Sequence, residues 1–375
     1  MGAEQFRVGS SILERWQDAV DQCIEQIGSQ RCLENLGFIY TTDSHVDALA
    51  EIVQRLKDKT GISHWVGTTG IGILHNGRED YELPSITVMA CCFPESSFRV
   101  FPSVQDDLED FDLQYRDWFG ENVQNFAVVH AAPETPDLQQ LIPDLSEKLN
   151  GGYLVGGLTS SHSRNLQVAD TVASGGLSGV MFSEKVPVCT GLTQGCSPIG
   201  PKRTVTEVNH NIVVRIDERP ALEVFKEDIG ETLAADLART VGYIFAAMPV
   251  VGSDIGDYLV RNIVGIDTKI GLVAIGDLPH KGSQIMFCRR DRSTARDDLV
   301  RMLKQIRSRM DKAEPKGAVY FSCLGRGRYT FGTDSEEVGL IKDEFGDLPL
   351  VGFFANGEIS HHRLYGYTGV LTLFM

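Results

Sequence analysis

The chain has 375 residues, 42% of them apolar and 23% charged, with a formal net charge of -16 and a sequence pI of about 5.0. Such a composition belongs to a globular chain long enough for two domains or one large core, and it excludes an intrinsically disordered one. The acidic balance argues against a general nucleic-acid surface, which needs clustered Lys and Arg.

The opening residues lack the basic start and apolar run of a secretory leader. Met1-Gly2 is followed by Phe6 where N-myristoylation prefers Ser or Thr, so acylation is not expected. No run approaches the roughly 18 apolar residues of a membrane span, so no membrane insertion is expected. The eight cysteines are Cys23, Cys32, Cys91, Cys92, Cys189, Cys196, Cys288 and Cys323. They form no C-x-x-C pair and no disulfide framework, and the expected compartment is the cytoplasm.

Ser10 or Ser11 is placed to cap an opening helix carrying Ile12, Trp16, Val20, Ile24 and Ile27 on one face. Phe38–Thr42 then reads as a strand and Val46–Leu56 as a helix. Ser63–Leu74 and Leu83–Phe93 follow as strands, with the turn residues Asn76-Gly77 between them suggesting hairpin partners. Phe126–Ala131, a helix at Leu138–Leu149, Gly152–Ser160 and Gly176–Ser183 repeat the order. Ala318–Cys323, a helix at Ser335–Phe345, Leu348–Glu358 and Gly369–Phe374 repeat it again.

The middle strands begin alike, as Trp65-Val66-Gly67, Leu154-Val155-Gly156 and Leu350-Val351-Gly352. This spacing predicts three strand–helix–strand–strand units. The fold class expected is α/β or α+β, with layered mixed or antiparallel sheets flanked by helices. No G-x-G-x-x-G follows the first strand, against a dinucleotide fold, and no cofactor is implied.

The chain changes character over Pro187–Asn209, where the segment Gly-Cys-Ser-Pro-Ile-Gly-Pro at 195–201 is too turn-rich for a strand interior and reads as a shaped loop between strands. Strands follow at Asn211–Asp217, Tyr243–Ala247, Tyr258–Ile266, Gly271–Ile275 and Gln284–Arg289. Ala295–Met310 is a helix with Leu299, Met302, Leu303 and Ile306 inward, and its arginines read as a solvated face. Composition changes near Glu218–Glu231. The expected division is therefore an extension over 1–34, a domain over 35–225 and a second over 230–375.

Candidate chemistry concentrates where strands meet loops. Cys323-Leu324-Gly325-Arg326-Gly327 ends a strand before a helix, so its glycines can turn amides inward and Arg326 can fork a carboxylate or phosphate. A surface turn with two arginines satisfies the same residues. Asp334 with Glu337 reads as a capping pair for the next helix. Glu358, after Asn356-Gly357, is placed to pair with Arg326 or to receive an ammonium or imidazole group.

Cys196 lies between glycines in QGCSPIG. A nucleophilic role for Cys196 or Cys323 needs a base that spacing does not supply; otherwise each is a small buried apolar group. His361-His362 diverge on a strand and no ligand spacing supports a metal. No catalytic residue is assigned.

Gln194–Val208 (QGCSPIGPKRTVTEV), Phe321–Gly327 (FSCLGRG) and Leu350–Ile359 (LVGFFANGEI) resemble the FIST family, found in bacterial signal-transduction proteins and some F-box proteins. The resemblance covers nearly the whole chain. It implies a sensory module binding a small ligand, an amino acid or a related small anion, with Cys196, Cys323, Arg326 and Glu358 at the family's characteristic positions. Relatives carry fused output domains, whereas here a signal would leave by association with a protein partner. Sequence therefore favours a cytoplasmic sensor with its pocket at the seam of the two halves. A Cys-dependent hydrolase or transferase and an interaction scaffold without a small ligand are the alternatives.

Overall fold

The computed structural model describes residues 6–28, 34–94, 96–105, 108–121, 125–149, 152–250, 258–311 and 313–375. Cys32 and the Met1-Gly2 start lie outside the described residues. The chain forms two compact units, Met1–Thr193 with Asp298–Met375, and Gln194–Asp297.

The first unit is built on three strand–helix–strand–strand repeats. Repeat one comprises Leu36–Thr41, Leu49–Thr60, His64–Thr69 and Ile86–Cys91. Repeat two comprises Asn125–Ala131, Leu138–Lys148, Tyr153–Leu158 and Leu177–Ser183, and repeat three Gly317–Cys323, Glu336–Phe345, Leu350–Ala355 and Thr368–Phe374. In each, the first strand lies between the other two, parallel to the middle strand and antiparallel to the last. The helix makes the crossover that parallel pairing requires.

The expected pairing of the second and third strands is corrected here. A separate hairpin intervenes in every repeat, and each hairpin leaves its own sheet. In repeat one Gly72–His75 and Arg78–Tyr81 pair across the Asn76-Gly77 turn, then add to Leu350–Ala355 of repeat three. Leu166–Ala169 with Thr171–Ser174 adds to His64–Thr69 of repeat one. Glu358–His361 with Arg363–Tyr365 adds to Tyr153–Leu158 of repeat two. The result is three six-stranded sheets joined by a cyclic exchange of hairpins. Exchange covers edges that would otherwise expose unpaired backbone groups.

The opening segment differs as well. Arg7–Ser11 is a strand antiparallel to Ile86–Cys91, and the helix starts only at Trp16, with no side-chain cap. Ser10 and Ser11 thus belong to a sheet edge.

Alternation along the strands separates two kinds of core. Inward residues of all three sheets, among them Phe38, Val66, Val128, Val155, Val319 and Val351, share one apolar centre. Outward residues lie under helices: Trp65 and Ile39 beneath Leu49–Thr60 and Trp16–Ile27, and Leu154 and Val129 beneath Leu138–Lys148. This explains the recurring bulky-Val-Gly triplet. The bulky residue faces out, Val faces the shared core, and Gly sits where the neighbouring strand's backbone comes closest. A Cβ at Gly67, Gly156 or Gly352 would stand 1.7, 1.9 or 1.7 Å from the carbonyl oxygen of Ile39, Val129 or Tyr320.

The second unit is a closed antiparallel barrel. Gln284–Arg290, Arg203–Asn209, Ile212–Ile216, Leu272–Ile275, Tyr258–Asp267 and Ile244–Pro249 pair in that order, and the last returns to Gln284–Arg290. Helix Ala221–Ile229 supplies Leu222, Val224 and Phe225 to its core. The presumed loop around Cys196 contains a short strand, Cys196–Pro198, paired to Gln284–Arg290.

Candidate functional site

The same turn follows the first strand of each repeat. His45 N–H donates to Thr42 O (3.1 Å), Thr135 N–H to Ala132 O (3.1 Å) and Arg326 N–H to Cys323 O (2.8 Å). His45, Thr135 and Arg326 are therefore structural equivalents, all buried. His45 Nε2 bonds Pro84 O at 3.0 Å, and Thr135 Oγ1 donates to Gly176 O at 3.3 Å. Arg326 has no such local carbonyl.

Its Nε–H donates to Glu337 Oε1 at 2.7 Å. The same oxygen accepts from Tyr320 Oη (2.6 Å) and Ser322 Oγ (3.0 Å), while Oε2 accepts the Gly327 amide at 2.8 Å. Glu337 is thus the fully bonded partner of Arg326, not a capping residue, and Ser335 occupies the cap position without a side-chain cap bond. Burial opposes charge on Arg326, but the neighbouring Glu337, Tyr320 and Glu358 hold its proton more firmly than usual. The guanidinium carbon lies 5.1 Å from the Phe331 ring centroid. Nη1 and Nη2 are buried without a protein hydrogen-bond partner.

The exchanged hairpins supply a second set of equivalents. Register aligns Tyr40–Thr68–Gln167, His130–Gly157–Glu358 and Phe321–Phe353–Ile73 across the three sheets. Tyr40, His130 and Phe321 meet with ring centroids 5.5 to 6.2 Å apart. Glu358 thus takes the place of Gln167 and Ile73. Gln167 is satisfied, accepting from Ser178 Oγ at 2.7 Å and donating to Gly176 O at 3.0 Å. Glu358 Oε2 accepts from Thr368 N (3.1 Å) and Oγ1 (2.7 Å), whereas Oε1 is buried without a partner. Burial pushes the Glu358 carboxyl up to about 8, against the lowering effect of Thr368, Arg326 and Cys323.

Cys323 shares the inward face of Phe321 by alternation and lies within reach of the Glu358 carboxyl. Burial, then Glu358, drive its thiol well above the ordinary range. Such a thiol is a poor nucleophile, because the thiolate is the reactive form. The structure therefore brings Cys323, Arg326 and Glu358 together electrostatically, and of the two alternatives open for Glu358 the ion pair with Arg326 is not formed, Glu337 taking that place.

Cys196 belongs to the second unit. It is buried, its thiol is in hydrogen-bond contact with that of Cys288, and Tyr258 Oη donates to its carbonyl. That contact, with burial, raises the Cys288 thiol strongly.

Sequence reasoning passed over Tyr320 and Ser322 and took Glu337 only for a capping residue. Their signal was available: Tyr320 and Ser322 precede Cys323 in the strand, and Glu337 falls in the first turn of the next helix. Among the described residues no group of three or more His, Cys, Asp or Glu is placed to share a metal, and His361 stacks on Tyr153. No described helix is long and apolar enough to cross a membrane.

Comparison with known proteins places two family regions on the chain. Residues 35–219 match the FIST N domain and residues 221–361 the FIST C domain. An uncharacterised protein of Mycobacterium tuberculosis (strain H37Rv) is 27% identical over 356 residues, covering 91% of both chains. An uncharacterised protein of Mycobacterium bovis is 26% identical over 394 residues, covering 99% of both.

Proposed function

Given that the chain belongs to the FIST family, whose domains are small-molecule sensory modules, we propose that its ligand binds at Cys323, Arg326 and Glu358 and is an amphoteric molecule such as an amino acid. One observation carries this reading: Arg326 Nη1, Arg326 Nη2 and Glu358 Oε1 are buried with no protein partner. Buried polar groups are normally bonded, and a charged one left bare is costly.

Charge decides between ligand classes. Arg326 and Glu337 cancel, and Glu358 holds a proton near neutral pH. A ligand neutral overall leaves the buried site neutral, whereas a lone anion adds an uncompensated charge. Its carboxylate would take the two free Nη groups, and its amine would face Glu358. Signal output by association with a protein partner completes the proposal.

Thermal-shift screening with L-amino acids, amine-free carboxylates and carboxyl-free amines tests it. Amino acids should raise Tm most, and Arg326→Lys, which loses the planar fork, should weaken the response. The reading fails if no compound shifts Tm, or if Arg326→Lys and Glu358→Gln respond as the unaltered chain does.

A further inference from the structure

Repeat one's exchanged hairpin ends against the loop and helix that hold Arg326. Glu79 N–H donates to Ser335 Oγ at 3.0 Å, and Glu79 Oε1 accepts the Val338 amide at 3.4 Å. Tyr81 Oη donates to Glu79 Oε2 and accepts the Arg328 amide, each at 3.1 Å. The Tyr81 ring stacks on Phe354 with centroids 4.6 Å apart. It fills the space above Gly327, where a Cβ would come within 1.7 Å of Tyr81 Oη. At φ +47 that residue also has a left-handed backbone suited to glycine. Two hairpin side chains therefore grip both ends of the segment from Gly327 to Val338, with Arg326 at one end and Glu337 near the other.

We propose that Glu79 is a positioning residue for Arg326: from the exchanged hairpin it fixes the start of helix Glu336–Phe345, and its charge state sets the field that Arg326 presents to a ligand. The proposal rests on the reading of Arg326 as a ligand-binding group only for where the effect is felt. Glu79 and Glu337 are two acidic groups at one helix start, and the second is bonded to Arg326. When Glu79 is ionised, its negative charge adds to those that Glu337 and Glu358 set against Arg326; when it is protonated, that contribution is gone.

Charged and titratable groups on the packed elements include Arg78, Asp80, Tyr81 and Glu82 on the hairpin side, Arg326, Arg328 and Tyr329 on the loop, Asp334 ahead of the helix, and Glu336, Glu337 and Lys342 on the helix. Arg328 sits 4.5 Å from the Tyr81 ring centroid and pairs with Glu82 at 2.9 Å, while the Lys342 side chain packs beside Gly77. Glu337 is the acidic neighbour whose charge acts on the Glu79 carboxyl. Burial and Glu337 raise that carboxyl to about 7, so it changes charge in the neutral range.

The test reads the ligand-free protein, so it separates failure here from failure of the ligand assignment. The 15N chemical shift of the Arg326 Nε–H group is followed from pH 5.5 to 8.5 in the unaltered chain, Glu79→Gln and Glu82→Gln. The expected result is an inflection near pH 7 that disappears in Glu79→Gln and survives in Glu82→Gln, beside a separate one near pH 8 from Glu358 that survives in both. Val338 amide exchange should quicken by less than about threefold in Glu79→Gln, since the side-chain carbonyl still accepts. An Arg326 signal without an inflection near pH 7, or with that inflection unchanged in Glu79→Gln, overturns the proposal. If the inflection behaves as expected while no amino acid binds, Glu79 keeps this role and the ligand assignment falls.

Discussion

Repeats two and three place the same turn at the end of the same strand, yet they finish it differently. In repeat two Thr135 donates to Gly176 O, and Gln167, on the hairpin that repeat two sends out, is bonded on both sides of its amide. In repeat three the equivalents are Arg326 and Glu358, and each keeps buried polar atoms that the protein does not bond. A shared backbone geometry has thus been filled once with groups that satisfy themselves and once with groups that do not. Unsatisfied buried polarity costs stability, so leaving both Arg326 and Glu358 with unbonded atoms, where Thr135 and Gln167 are bonded, marks a demand other than folding.

The largest expected effect breaks this comparison at the turn. Arg326→Met leaves Glu337 buried with its cationic partner gone, and removing one member of a buried ion pair costs about 3–5 kcal/mol. Thr135→Val removes one hydrogen bond to a carbonyl and should cost only about 1 kcal/mol. Adding Glu337→Gln to Arg326→Met should recover a large part of the loss, because the stranded charge is then gone. Urea unfolding of the four proteins decides it. Equal costs at Arg326 and Thr135 would make the third turn an ordinary one.

How much of this was readable beforehand follows the range of the interactions. The three repeats were legible because one triplet encodes three local facts: a residue beneath a helix, a valine facing the shared core, and a glycine under a neighbouring carbonyl. The hairpin exchange was not legible. Asn76-Gly77 announces a turn, but nothing local says that Gly72–His75 pairs with Leu350–Ala355, far along the chain. Barrel closure in the second unit has the same character, since it depends on Ile244–Pro249 finding Gln284–Arg290. Arg326 and Glu358 were picked out as polar residues at the ends of apolar strands. Whether the two pair with each other was left open by their spacing, and Glu337, in a run with a capping pattern, turns inward to bond Arg326 instead. Glu79 was not legible, since nothing local to Arg78-Glu79-Asp80-Tyr81 says that a helix from far along the chain packs against it.

The hairpin half of the comparison gives the next effect. Glu358 is raised from an ordinary 4.5 to about 8 in the folded chain. A carboxyl raised on folding binds its proton more tightly in the native state than in the unfolded one. Its contribution is therefore complete below about pH 4.5 and is lost as pH rises through about 8. Over that window the unaltered chain should lose roughly 3–5 kcal/mol relative to Glu358→Gln, which cannot ionise and reproduces the Gln167 of the neighbouring sheet. Urea unfolding of both proteins at pH 5, 7 and 9 measures the difference. A gap that does not move with pH would show that Glu358 ionises as freely as a surface carboxylate, and its contrast with Gln167 would vanish.

The smallest effect is expected at Cys323, and there the comparison separates a binding site from a catalytic one. Repeat two carries Ala132 at the equivalent position and repeat one Thr42, both buried. The framework therefore already accommodates a small side chain without sulfur at this point. Cys323→Ala removes one sulfur atom from an inward-facing position and should destabilise the chain by about 1 kcal/mol, with only a modest change in any ligand-induced shift of Tm. The raised thiol should also leave Cys323 unreactive toward iodoacetamide at pH 7 while half-buried Cys92 and Cys189 are alkylated. Mass spectrometry of the alkylated folded protein reads this directly. Rapid, selective modification of Cys323 would mean that a thiolate forms despite the burial and the neighbouring carboxyl, and the third repeat would then differ from the second by a nucleophile as well as by an arginine and a glutamate.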